Sequence, residues 1–184
     1  RDLRMSRGLG DVYKRQSDDC SKSIEILMDM SLDIESMGKS MYGHCDADTS
    51  ITKDSFATAI NDKMEEMQGY FEEYEKQPLT DKEQEYFGAF VKKFDKYRDG
   101  MNAVLDASSK GDADKSIEAM NVQQKPAEDY LIKKIDSLIN MRKTAMKAAL
   151  SQQQKEYNFA ITSAIVFIVV SIPVSYTHLT LPTT

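Results

Sequence analysis

The chain has 184 residues, with 24 Lys+Arg against 30 Asp+Glu, two Cys, no Trp and four Pro, a length that suits one ordinary domain. At 41 % hydrophobic and 29 % charged it can build a core, which argues against wholesale disorder, and its net charge of −6 argues against nucleic acid, whose phosphates need a basic face. Met (11) outnumbers Gly (8), and so few turn residues argue against an all-β chain.

In chain order, the first element is a terminus unlike its neighbouring sequence. Residues 1–16 (RDLRMSRGLGDVYKRQ) and residues 174–184 (VSYTHLTLPTT) show neither helical nor strand periodicity. Both resemble translated transposon-type sequencing adapters, the first as an adapter joined to its transposase end and the second as the reverse complement of the same end running into the sister adapter, with part of the Pro173 codon inside it. On this reading 1–16 and 173–184 are adapter-derived and are set aside from the fold, with little to bury and no fixed structure expected. Setting them aside removes five basic and two acidic residues, which leaves 19 against 28, a net charge of −9, and His44 as the remaining histidine. What is left reads as a fragment: a sensor-type bundle over 17–157 and a truncated transmembrane helix over 158–172.

Four long segments carry apolar residues at alternating spacings of three and four, the pattern of helices that bury one stripe. The first spans residues 17–42, with Cys20, Ile24, Leu27, Ile34, Met37 and Met41 on one face and Gly43 placed to end it in a left-handed cap. After the polar run Asp46-Ala47-Asp48-Thr49-Ser50, the second spans 52–76 with Phe56, Ile60, Met64, Met67, Phe71 and Tyr74, and Pro78 stops it. Thr80-Asp81-Lys82-Glu83 is a capping box that opens a third helix to residue 109, with Phe87, Phe90, Phe94, Tyr97, Met101 and Val104 on one stripe. Gly111-Asp112 reads as stop then start. The fourth segment runs on from residue 112 with the stripe Leu131, Ile135, Leu138, Arg142, Ala145, Ala149 and Gln152, kinked rather than ended at Pro126. Helices of similar length joined by short connections predict an all-α, antiparallel four-helix bundle.

The fourth segment is too long for that bundle. Its surplus, residues 159–172 (FAITSAIVFIVVSI), is uncharged. Phe159, Ile165, Val166, Phe167, Ile168, Val169, Val170 and Ile172 are its candidate lipid-facing residues. Fourteen residues span only about 21 Å where a bilayer core needs about 20 residues, so the segment predicts a transmembrane helix cut short at its C-terminal end. Tyr157 and Phe159 stand where an interfacial aromatic belt lies.

No enzyme is read from the sequence. A di-iron bundle needs Glu-x-x-His on two helices, and His44 has no Glu three residues before it. His44, Cys45, Asp46 and Asp48 offer too few firm ligands in one short loop for a closed metal site and read as solvated. There is no phosphate loop, nucleophile elbow or paired catalytic constellation, and no cofactor is expected. Arg142, the charge on the fourth stripe, is the one weak ligand-binding candidate; a buried partner for a carboxylate and snorkelling to the bundle edge are its other readings.

A helical bundle whose last helix runs into a membrane segment resembles the four-helix-bundle sensor domain of methyl-accepting chemotaxis receptors. The stretches that carry the resemblance are YRDGMNAVLDASSKGDADKSIEAMN and LIKKIDSLINMRKTAMKAALSQQQKEYNFAITSAIVFIVV. It implies an extracytoplasmic sensor in a bacterial inner membrane, a homodimer, and a small-molecule or binding-protein ligand. It implies contact with cytoplasmic chemotaxis proteins only through a region beyond this chain. Related sensors hold a ligand carboxylate with first-helix arginines, whereas residues 17–42 hold Lys22 and Lys39 and no Arg. In such a dimer Cys20 is expected to approach its twin. A sensor of a histidine kinase or nucleotide cyclase, or a tail-anchored structural bundle, are the alternatives.

Overall fold

The computed structural model describes residues 2–179. In chain order these are α1 (Asp2–Asp46), α2 (Ser50–Glu75), α3 (Asp81–Ser109), α4 (Ala113–Ala119), a π-turn (Met120–Gln124) and α5 (Lys125–Leu179), with no strand among the described residues. Residues 18–144 form one compact unit, the four-helix bundle, and residues 2–17 with 145–179 form a second.

Short polar sequences set the bundle's corners. Thr49 sits in extended backbone and its hydroxyl accepts from Thr52 N at 3.2 Å, which starts α2. Thr80 does the same for α3, accepting from Glu83 N at 3.3 Å while Glu83 Oε2 accepts from Thr80 N at 2.8 Å, the expected capping box. Gly111 takes φ 79°, a conformation that a side chain would strain, and Asp112 caps α4 through Lys115 N at 3.2 Å.

The predicted stripes face inward. Leu27, Met30, Ile34, Met37 and Met41 of α1, and Leu131, Ile135 and Leu138 of α5, are fully buried against α2 and α3. Ile24 is only half-buried; Ile26 and Met30 take its place. The α2–α3 seam is aromatic: the Phe71 ring meets Phe87, Phe90 and Phe94 edge-on at centroid distances of 5.8, 5.9 and 5.3 Å. Each such side chain contributes about 1.5–3 kcal/mol when fully buried.

Four expectations are corrected. The N-terminal segment is helical from Asp2, because lengthening a helix that already exists avoids the nucleation step that makes short helices marginal. At the other end α5 likewise continues to Leu179. Helix α1 also passes through Gly43, whose φ is not positive; a Cβ there would stand 2.5 Å from Phe56 Cζ, so glycine serves close packing, not a cap. The fourth segment is not one regular helix, since the π-turn interrupts it just ahead of Pro126. Helix continues through 159–172, but no helix among the described residues is long and apolar enough to cross a membrane.

Candidate functional site

Within the bundle, α1 and α5 flank a cleft of about 380 Å³, within the size range of small-molecule sites. Glu35, Gly38, Lys39 and Tyr42 line it from α1, at the spacing that places them on one helix face. Lys125, Glu128, Asp129 and Ile132 line it from α5. Glu128 is 5 % exposed, and its Oε1 accepts from Lys125 Nζ at 2.6 Å, while Lys125 also reaches Asp129 at 3.2 Å. The Glu128 hydrogen bond, with burial opposing it, holds the Lys125 ammonium above its ordinary pKa. Gly38 makes room for Glu128: a Cβ at 38 would overlap the carboxylate. Buried Tyr97 of α3 has its phenol pushed up, first by burial and then by the Glu128 charge. The cleft therefore offers an aromatic wall, two ammonium groups and three carboxylates to a polar ligand.

In the sequence Lys39 stands out only as a first-helix cation and Tyr97 only as part of a core stripe, and none of these residues reads as a site, although one signal exists. Gln124, Glu128, Leu131, Ile135, Leu138 and Arg142 continue a single three–four spacing, so two polar residues precede the apolar stripe at positions that face the core.

Arg142 lies away from that cleft. It is 3 % exposed, its Nε stands 3.0 Å from Glu83 Oε1, its Nη1 donates to Pro78 O at 3.1 Å, and its guanidinium carbon lies 5.9 Å from the Tyr74 ring centre. Of its three readings the buried partner for a carboxylate is the one observed, and the side chain does not snorkel. Asp33 of α1 makes a comparable link to α2, 3.1 Å from Lys63 Nζ, which also binds Glu66 at 2.6 Å; burial raises the Asp33 carboxyl.

His44 was expected in a solvated loop and instead occupies the last turn of α1, 2 % exposed. Ser108 Oγ donates to His44 O at 3.1 Å and lies 3.0 Å from His44 Nδ1, while Lys53 Nζ donates to Ser108 O and Oγ at 2.6 and 3.1 Å. The Ser108 proton is committed to the carbonyl, so the imidazole must donate from Nδ1. Burial, then the Lys53 charge, lowers the His44 pKa. The knot ties α1, α2 and α3 together. Among the described residues no group of His, Cys, Asp or Glu could hold a metal ion.

In the second unit, Phe159, Ile165, Val166, Phe167, Ile168 and Val169 are exposed all round the helix, and the side chains of Val170 and Ile172 lie outside those described. Cys20 is buried in the bundle at 3 % exposure, so it is not presented to a second copy as expected, and both cysteines are free.

No curated protein matches the chain. Residues 5–157 match the family described as a four helix bundle sensory module for signal transduction, a family of non-catalytic domains, and the match covers the whole bundle. By its fold and this match, the chain belongs to that family of chemoreceptor-type sensory modules.

Proposed function

We propose that the chain is the extracytoplasmic ligand-sensing module of a bacterial chemoreceptor, bound to the cytoplasmic membrane through the helix that contains residues 159–172. The observation that carries this reading is the α1–α5 cleft with its buried Glu128, set against the helix that also bears the exposed apolar segment. That segment is 14 residues of uncharged helix with no apolar side chain hidden at 165–169, and a bilayer is the medium in which such a surface is stable. Output passes to cytoplasmic chemotaxis proteins through a region beyond this chain.

The module works as a homodimer that pairs α1 with α1. Met28, Leu32, Glu35, Lys39 and Tyr42 alternate four and three apart, with Met28 53 %, Leu32 61 % and Tyr42 42 % exposed, a seam suited to a second helix. Glu35, Lys39 and Tyr42 belong both to that seam and to the α1 wall of the cleft, so a ligand there can alter how two copies meet.

A thermal-shift screen of amino acids, organic acids and amines tests the reading on this chain. At least one compound is expected to raise the unfolding temperature, and Tyr42→Ala and Gly38→Ala are expected to abolish that shift. A ligand that binds both variants as tightly as the parent overturns the cleft as the sensing site.

A further inference from the structure

The π-turn at Met120–Gln124 is the least ordinary backbone in the bundle. Its hydrogen bonds reach one residue further than in an α-helix, as where the Lys125 N–H meets Met120 O. It therefore holds one residue more than an α-helical turn would. Such turns are rare in helices and collect at functional sites.

Both arrangements of this segment carry a penalty. In the π form, Gln124 is 3 % exposed and its Oε1 has no hydrogen-bond partner. Its amide rests on Gly100 of α3, so close that a Cβ at 100 would overlap it. In an α form the Lys125 N–H would move to Asn121 O, and the ring of Pro126 would face the Val122 carbonyl with no N–H to offer. Conversion would turn the helix on one side relative to the other by about 100° and shift it by about 1.5 Å.

The cleft touches this turn twice. Tyr42, on the α1 wall, donates its hydroxyl proton to Asn121 Oδ1 at 3.3 Å. Lys125, on the α5 wall, supplies the backbone N–H that closes the turn, and Glu128 and Asp129 stand on the next turn. We propose that residues 120–124 are a register switch between π and α arrangements, and that occupancy of the cleft biases it. A ligand acts through its difference in affinity for the two walls. The link to a ligand rests on the sensing reading; the switch itself does not.

Amide hydrogen exchange on this chain tests it without a ligand. Deleting Val122, which is 66 % exposed, removes the surplus residue. Exchange at residues 120–125 is expected to slow about tenfold, with the unfolding temperature kept. Tyr42→Phe is expected to speed exchange there in the parent and to have no effect in the deletion background. Equal effects of Tyr42→Phe in both backgrounds, or unchanged exchange in a folded deletion variant, overturn the proposal. If the deletion unfolds the bundle, Pro126→Ala decides: exchange slowed severalfold supports the switch, and unchanged exchange overturns it. A screen that finds no ligand would sink the sensing reading and leave these rates as they stand.

Discussion

Arg142 Nε stands 3.0 Å from Glu83 Oε1 with both side chains 4 % exposed, which joins α5 to the first turn of α3 through an ion pair removed from water. Glu83 serves twice, since its other oxygen accepts the Thr80 N–H of the capping box. Arg142→Ala leaves that carboxylate buried without its cation, and loss of one partner of such a pair costs about 3–5 kcal/mol. Chemical denaturation should read a loss of that size. Arg142→Met combined with Glu83→Gln should recover most of it, because Gln still closes the capping box; a double variant as weak as the single one would contradict the account.

The His44 knot should make stability depend on pH near neutrality. His44 stays neutral in the fold because burial and Lys53 hold its pKa below the ordinary 6.5. The unfolded chain takes up a proton first as pH falls through about 6.5, so stability is full above that value and declines below it. The slope for one proton is at most about 1.4 kcal/mol per pH unit. Replacing His44 with Gln should flatten the decline that begins below about pH 6.5. Asp33, whose carboxyl burial raises, acts in the opposite sense, since the folded state then holds its proton more tightly than the unfolded chain.

Gly43→Ala should destabilise the bundle by about 1–3 kcal/mol, the usual effect of an extra methyl forced into packed surroundings. Its Cβ would meet the Phe56 ring at 2.5 Å. The companion variant Phe56→Leu should relieve part of the loss, and calorimetry of the pair measures whether the two effects couple.

Removing residues 1–16 should move the unfolding temperature by less than about 2 °C, because the core cluster draws on residues 26–138. A drop of several degrees on scanning calorimetry would show that the N-terminal turns of α1 carry weight in the bundle.

The bundle was legible because its α3 stripe is aromatic and its corners use local chemistry: Thr80 with Glu83, and Gly111 with Asp112, are neighbours in sequence. What escaped depends on distant partners. Gly43 looks the same before a left-handed cap as beneath a neighbouring ring, and only the arrival of Phe56 from α2 tells them apart. His44 reads as solvated beside Asp46 and Asp48 until Ser108 and Lys53 close over it. Arg142 gave three readings because charge on an apolar stripe does not reveal where its counterion comes from. The π-turn left no periodic trace beyond Pro126, and the cleft arises from two helices whose lining residues are ordinary surface types taken separately.

The two inner seams of the bundle differ in stiffness. Between α2 and α3 the rings of Phe71, Phe87, Phe90 and Phe94 interlock, and flat rings set edge-on have few alternative ways to fit. The inner face of α1 sets Met30, Met37 and Met41, unbranched side chains that rearrange with little loss of contact, among Leu27 and Ile34. A load on the bundle is thus taken up unevenly. The α2–α3 pair acts as the frame, and α1, the helix that bears one wall of the cleft, rides on the compliant bearing.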